Sequence, residues 1–386
     1  MINVLGVGLD YLWLKGKNTR GGYKFRLLEY GEKLGSLVRI LYSPQKIKLN
    51  YEKYGNNIDI FYTCSMNKLL FPIDAIKITN RIIKNKKIDI ITAEDPFLGG
   101  FTGVLIKWIF KIPLNIQIDH DRINNAYWIK EKWTNYFKNI FANFIINRAD
   151  SLRVMSQRTR ERLIASGVEK NKIWVVPTPI DVTEFTDIDS DLLRTNLLGT
   201  RFNKIVFFLG RLSQEKNIPF LIKAFSYIIH QYSSVLLLIA GEGKEEINLK
   251  KMVNHLNLEK NVLFTGAVEY KKVPEYFKAS DIFVLPSLHE GRANVLIEAA
   301  LAKKPIVSTD VGGAREVIID RKTGFIIEQM NHRQLTDKIL FLLNNPKIAQ
   351  KFGEDGFSFV KENLQETNEA IKLIQCWEET AKIKAA

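Results

Sequence analysis

Cysteine is scarce in this chain. Two residues, Cys64 and Cys376, among 386 cannot build a disulfide framework, which suits a reducing compartment. Histidine is scarce too, and the five present are scattered without the spacing of a metal site. No apolar run comes near the ~20 residues that a membrane-spanning helix needs. The opening MINVLGVGLDYLWLKGK lacks both a basic stretch ahead of an apolar core and a small-residue cleavage site, so no secretory signal is expected. Short repeats, low-complexity segments and helix-turn-helix, RNA-recognition or zinc signatures are missing as well, so nucleic acid is not an expected partner. These absences together point to a cytoplasmic protein.

What is present is an ordinary globular composition, 46% hydrophobic and 25% charged, at a length that favours two domains over one core. The net charge of +14 is uneven: residues 1–190 hold 29 Lys and Arg against 19 Asp and Glu. Such an excess either meets an anionic partner, such as phosphates or an acidic membrane surface, or reflects a lysine-rich surface with no partner at all.

Strands and helices alternate throughout. Short β-branched runs predict strands at 2–8, 38–43, 58–63, 88–95, 114–119, 151–156 and 173–177, with helices at Tyr23–Leu34, Ile73–Lys84 and Gly100–Phe110. A polar, acidic stretch after Pro177 reads as a linker. The alternation restarts with strands at 204–210, 235–241, 261–266, 281–287, 305–309 and 324–328. Two successive βαβ series predict an α/β protein of two Rossmann-like parallel-sheet domains facing a central cleft, with ligands beyond the carboxyl ends of the strands.

The junctions at those ends carry the chemistry. GRLSQEKN places Gly210 and Arg211 at a strand end and Lys216 before a helix, a fork of donors and a mobile cation suited to a diphosphate. In EGRANVLIEA, Asn294 is the expected N-cap of a helix over 295–303, and the amides of Asn294, Val295 and Leu296 would face an anion. Glu298 could then accept hydrogen bonds from a ribose diol, and Glu290, on the loop, from a sugar beyond the phosphates. Each of these residues alone could equally be a solvent-facing charge. Their company favours one extended ligand of ribose, diphosphate and sugar.

Glu290 and Glu298 with their seven-residue gap, GRLSQEK upstream and KPIVSTDVGGAREVIIDRKTGFII downstream resemble glycosyltransferase family 4, the retaining nucleotide-sugar transferases of GT-B fold. TRGG, AEDPFLGGFTG and the segment RADSLRVMSQ to IDVTEF extend the resemblance over nearly the whole chain. It implies an acceptor domain at 1–180, a donor domain at 181–365 and a last helix, 366–386, crossing back to the first domain. Arg211 and Lys216 would hold the donor diphosphate, Glu298 the ribose and Glu290 the sugar. Gly21 and Gly22 would approach the diphosphate from the first domain, while Glu242 and Val268 would flank the base. The resemblance implies a hexose moved from a nucleotide-sugar, UDP first among donors, to a glycan or lipid-linked acceptor in cell-surface polysaccharide or glycolipid synthesis. It also implies that no metal and no cofactor are needed. A nucleotide-sugar epimerase of the same fold would share the donor site.

Relatives place a sugar-contacting His where this chain reads Asp119-His120-Asp121. Either Asp119 or His120 occupies that place, with His120 preferred. Thr178-Pro179 and Arg292 also depart from the family's pattern. Residues 123–148 are rich in aromatics interleaved with Lys130, Lys132 and Lys138. The spacing of Trp133, Phe137, Phe141 and Phe144 predicts a helical stripe that faces the core, or else an interfacial surface for anionic lipid.

Overall fold

The computed structural model describes residues 1–9, 23–46, 50–178, 185, 189–364 and 369–383. The chain forms two compact units, Met1–Thr178 with Thr367–Ala386, and Pro179–Glu366.

The first unit is built on β1 (Asn3–Gly8), β2 (Ser36–Leu41), β3 (Tyr51–Tyr54), β4 (Ile58–Tyr62), β5 (Ile90–Ala93), β6 (Leu114–Ile118), β7 (Ser151–Val154) and β8 (Ile173–Val175). Its helices are α1 (Tyr23–Lys33), α2 (Phe71–Ile83), α3 (Leu98–Phe110), α4 (Ala126–Glu131), α5 (Trp133–Ile146) and α6 (Gln157–Ala165). The sheet runs β3-β4-β2-β1-β5-β6-β7-β8 and is parallel except where β3 pairs antiparallel with β4. Strands buried on both faces, such as β5 and the second unit's β10 (Val235–Ala240), are the largely apolar runs that the sequence predicts, while the fully buried β2 carries Arg39 within its run. β3, YEKY, is not predicted from sequence. As an edge strand it is polar and alternates exposed with half-buried residues, so it carries no apolar run.

The second unit holds α7 (Asp191–Leu198), β9 (Lys204–Leu209), α8 (Ile218–Gln231), β10 (Val235–Ala240), α9 (Glu246–His255), β11 (Val262–Gly266), α10 (Val273–Ala279) and β12 (Ile282–Leu285). It continues with α11 (Asn294–Leu301), β13 (Ile306–Thr309), α12 (Ala314–Val317), β14 (Gly324–Ile327), α13 (His332–Asn344) and α14 (Pro346–Leu364). Its all-parallel sheet is ordered β11-β10-β9-β12-β13-β14. The strand order reverses at β9, between β10 and β12. That is the switch point beside which ligands of such sheets bind.

The last helix, α15 (Glu369–Ala381), packs in the first unit. Leu373, Ile374 and Trp377 share a core with Val4, Leu37 and Ile90. Asn115 ties the helix to the sheet: its Nδ2 donates to Cys376 Sγ at 3.6 Å and its Oδ1 accepts from Trp377 Nε1 at 3.4 Å. Burial pushes the Cys376 thiol up to about 12. A folded-state pKa above the unfolded value means that stability falls as pH rises through the alkaline range, where only the unfolded chain loses the proton. Cys376 is accordingly expected to resist a thiol reagent at pH 8 until the protein is denatured. Stoichiometric labelling of Cys376 in the native protein, located by peptide mapping, would contradict this packing.

The aromatic stripe of α5 faces away from the core, against the core-facing expectation. The buried residues of α5 are Asn135, Ala142, Ile145 and Ile146, while Trp133 is 78% exposed and Phe137 60%. Two adjacent isoleucines and an alanine already fill the space against the sheet, so the aromatics take the opposite side. Among the described residues no helix is long and apolar enough to cross a membrane.

Candidate active site

At the carboxyl end of the second sheet, four loops meet backbone to backbone. The loop after β9 pairs with the loop after β10: the Leu212 amide donates to the Glu242 carbonyl at 2.9 Å and the Glu245 amide to the Leu212 carbonyl at 3.0 Å. Gly241, at φ +131, lies directly under the Gly210 carbonyl oxygen, which a Cβ there would overlap. The loops after β12 and β13 are locked in the same way, Gly312 and Gly313 lying against the carbonyls of Glu290 and Arg292. Backbone contact at this distance needs residues without a Cβ. The sequence therefore places its glycines where the loops must touch.

On this platform Lys216 and Glu290 form one ion pair. Lys216 closes a short 3-10 turn over Gln214–Lys216, and its Nζ donates to Glu290 Oε1. Ser287 Oγ donates to the same carboxylate oxygen at 2.7 Å. The two side chains are only 13% and 14% exposed, so they attract one another more strongly than they would in bulk water. The Leu288 amide donates to the Glu215 carbonyl at 2.8 Å, and Thr309 Oγ1 donates to the Ser287 carbonyl at 2.6 Å, which holds both loops in register. Burial pushes the Glu215 carboxyl up. Its own backbone amide and the charges of Arg211 and Lys216 more than offset this and leave it below its usual value.

Arg211 extends outward, 73% exposed and 3.7 Å from Glu215. Gly210 is half-buried at the strand end, and Glu242 is exposed on the neighbouring loop. Val268 lies partly buried against the core.

Helix α11 differs from the expected form. Ala293, in the left-handed conformation at φ 54, is its N-cap, Asn294 is its first residue, and it ends at Leu301. Left-handed backbone at Ala293 brings the chain from the glycine-locked loop straight into the helix, leaving no extended residue for a side-chain cap. The Leu296 amide donates to the Ala293 carbonyl at 2.9 Å, so only Asn294 and Val295 of the three expected amides can turn to an anion. Lys303, left-handed at φ 57, ends the helix early. Glu298 sits within α11 and is 3% exposed. It is a buried acid, not a surface charge.

The other candidates belong to the first unit. Gly21 and Gly22 lie outside the described residues. His120 lines a cavity of about 560 Å³ together with Arg39, Glu94, Asp95, Asp119, Arg122 and Arg153. Asp119 accepts from Arg153 Nη1 at 2.9 Å, and Arg39 pairs with Glu94. Asp121, 2% exposed, is bound by Arg162 and Thr159 and has a structural place. Asp95 accepts the amides of Phe97 and Gly99 at 2.7 and 3.1 Å, yet its burial holds its carboxyl above the usual range. Arg39, Arg153 and Asp95 are not among the sequence candidates. A charged residue inside an apolar strand run, as in SLVRIL and SLRV, was the available signal.

Residues 23–184 match the profile of Glycosyltransferase Family 4, and residues 199–359 that of Glycosyl transferases group 1. An uncharacterized glycosyltransferase of Methanocaldococcus jannaschii is 28% identical over 278 residues, 68% of this chain and 66% of that protein. The capsular polysaccharide biosynthesis glycosyltransferase CapM of Staphylococcus aureus is 27% identical over 293 residues, 70% of this chain and 73% of CapM. Among solved structures, Anabaena HepE in complex with UDP and glucose superposes with a TM-score of 0.75 at 18% identity, covering 98% of this chain and 100% of HepE.

Proposed function

Since this chain is a glycosyltransferase of the family 4 type, with the GT-B fold, we propose that it moves a hexose from a nucleotide-diphosphate sugar, UDP-linked first among candidates, to a glycan or lipid-linked saccharide. The product belongs to cell-surface polysaccharide or glycolipid synthesis, the anomeric configuration is retained, and no metal or cofactor takes part. The acceptor is met at the cytoplasmic face of the membrane. The observation that carries this reading is the Lys216–Glu290 pair set beside the N-terminus of α11, with Glu298 buried in the same helix.

In this reading the diphosphate settles against Lys216, Arg211 and the amides of Asn294 and Val295. Lys216 then shares its charge between Glu290 and the phosphate. As the glycosidic bond breaks, negative charge builds on the leaving diphosphate, and cations and amides already in place meet it without reorganising. Glu290, relieved of part of its partner, accepts hydrogen bonds from the donor sugar. Glu298 accepts from the ribose hydroxyls, and Gly210, Glu242 and Val268 border the nucleotide. His120 lines the cavity of the first unit. CapM supports the polysaccharide assignment, and HepE, solved with UDP, supports the donor assignment.

The test is a screen of nucleotide-sugars by thermal shift and donor hydrolysis, followed by calorimetry on variants. Loss of hydrogen bonds to a charged acceptor costs about 1.5–3 kcal/mol, so Glu298→Ala is expected to weaken donor binding about 10- to 100-fold. Glu290→Ala is expected to act mainly on kcat. Wild-type donor affinity in a folded Glu298→Ala variant would refute the ribose role. Epimer formation from the donor alone would favour the epimerase.

A further inference from the structure

Helix α5 is apolar on two sides, with Ala142, Ile145 and Ile146 against the sheet and a second apolar stripe facing outward. Its inner and flanking positions carry asparagines: Asn135 is 4% exposed and donates to the Trp128 carbonyl at 2.8 Å, while Asn139 and Asn143 both bond to Asn124. Its outer positions carry Trp133, Tyr136, Phe137, Ile140, Phe141 and Phe144, between 39% and 78% exposed. Their three- and four-residue spacing places them in one stripe about 17 Å long. Adjacent rings touch, Trp133 with Phe137 at 6.0 Å and Tyr136 with Phe137 at 5.6 Å. The patch continues onto the end of α3, where Trp108 and Ile109 are 47% and 54% exposed. Arg148 bridges the two helices, its guanidinium 3.3 Å from the Phe144 ring centroid and 5.9 Å from that of Trp108.

The charge around this patch is predominantly positive, Glu131 being the one acid between Ala126 and Arg148. From Lys132 to Arg148 there is no acidic residue, and Lys111, Lys130, Lys132 and Lys138 are exposed. A contiguous apolar patch of this kind on a soluble unit marks an interaction surface. A basic border around tryptophan, tyrosine and aliphatic side chains matches one chemistry above others, an apolar interior beneath a layer of negative headgroups. A second copy of this chain would bring the same lysines to face these.

We propose that the outer face of α5, with the end of α3, seats the first unit on an anionic bilayer. The stripe enters the headgroup boundary while Lys130, Lys132, Lys138 and Arg148 meet lipid phosphates. The inference rests on the reading of a membrane-face acceptor for its purpose, whereas its evidence is this surface alone.

The experiment is flotation of the full chain with phosphatidylcholine vesicles, with and without phosphatidylglycerol, at low and high salt and without sugar substrates. Binding is expected only with phosphatidylglycerol and is expected to weaken with salt. Lys132→Ala with Lys138→Ala should lower the partition coefficient about 25-fold, near fivefold per charge. Trp133→Ala with Phe137→Ala should lower it at least about tenfold, and brominated lipid should quench wild-type tryptophan fluorescence more than that of Trp133→Phe. These side chains are exposed, so the variants should keep the wild-type circular dichroism. Absence of flotation, equal binding to both vesicle types, or a dimer that the Trp133/Phe137 variant dissociates would overturn the proposal. Vesicle binding without any donor hydrolysis would count against the proposed function alone. Turnover on a soluble acceptor without vesicle binding would count against this surface alone.

Discussion

Lys216→Ala is expected to lower kcat by about 100- to 1,000-fold, the usual loss when one donor to developing charge is removed. The reason lies in its two tasks. In the free protein Lys216 pairs with the mostly buried Glu290; in the proposed reaction it would also meet the leaving diphosphate. Removing it leaves a carboxylate without its cation next to the proposed phosphate position, so repulsion would be added to lost attraction. A double variant distinguishes the terms. Glu290→Gln on top of Lys216→Ala should restore part of the donor affinity, because the uncompensated charge is gone, but should not restore kcat. Steady-state kinetics with calorimetry on Lys216→Ala, Glu290→Gln and the double variant reads both quantities. Additive effects in this cycle would show that the pair does not act as a unit. Unchanged kcat in Lys216→Ala would remove the lysine from the mechanism.

Gly241→Ala is expected to destabilise the second unit by about 3–5 kcal/mol. Two costs combine at this residue. Its φ of +131 belongs to backbone that side-chain-bearing residues rarely adopt, and a Cβ would overlap the Gly210 carbonyl oxygen. Neither can be relieved by a rotamer change, because the obstacle is backbone of β9's exit loop. Donor binding should fail together with stability, since moving that loop moves Gly210 and Arg211. Gly199→Ala is the control. Gly199 also has positive φ, 52, but nothing lies within 4 Å of a Cβ there, so strain is present without collision and the loss should be smaller. Thermal unfolding of both variants, followed by circular dichroism, makes the comparison. Equal midpoints would show that the loop contact is not needed.

How much of this was legible in the sequence differs by kind of residue. Buried strands announce themselves because a strand covered on both faces must be apolar throughout, and β9, β10 and β12 read directly from KIVFFL, VLLLIA and IFVL. The site loops read from glycine and charge at the strand ends. β3 was hidden because an edge strand needs no apolar run. The N-cap of α11 was misplaced because propensity favours Asn, while the locked loop imposed a left-handed Ala293.

Sequence alone thus determined the class of fold, the family resemblance and the residues worth suspecting, since these follow from local patterns along the chain. It could not reveal that Lys216 and Glu290, 74 residues apart, are one ion pair, that Glu298 is buried, or that the aromatics of α5 point outward. Those are consequences of which neighbour reaches a given surface first, and only the assembled sheet and its helices decide that. Periodicity tells that a helix has an apolar side; packing tells whether protein or something else covers it.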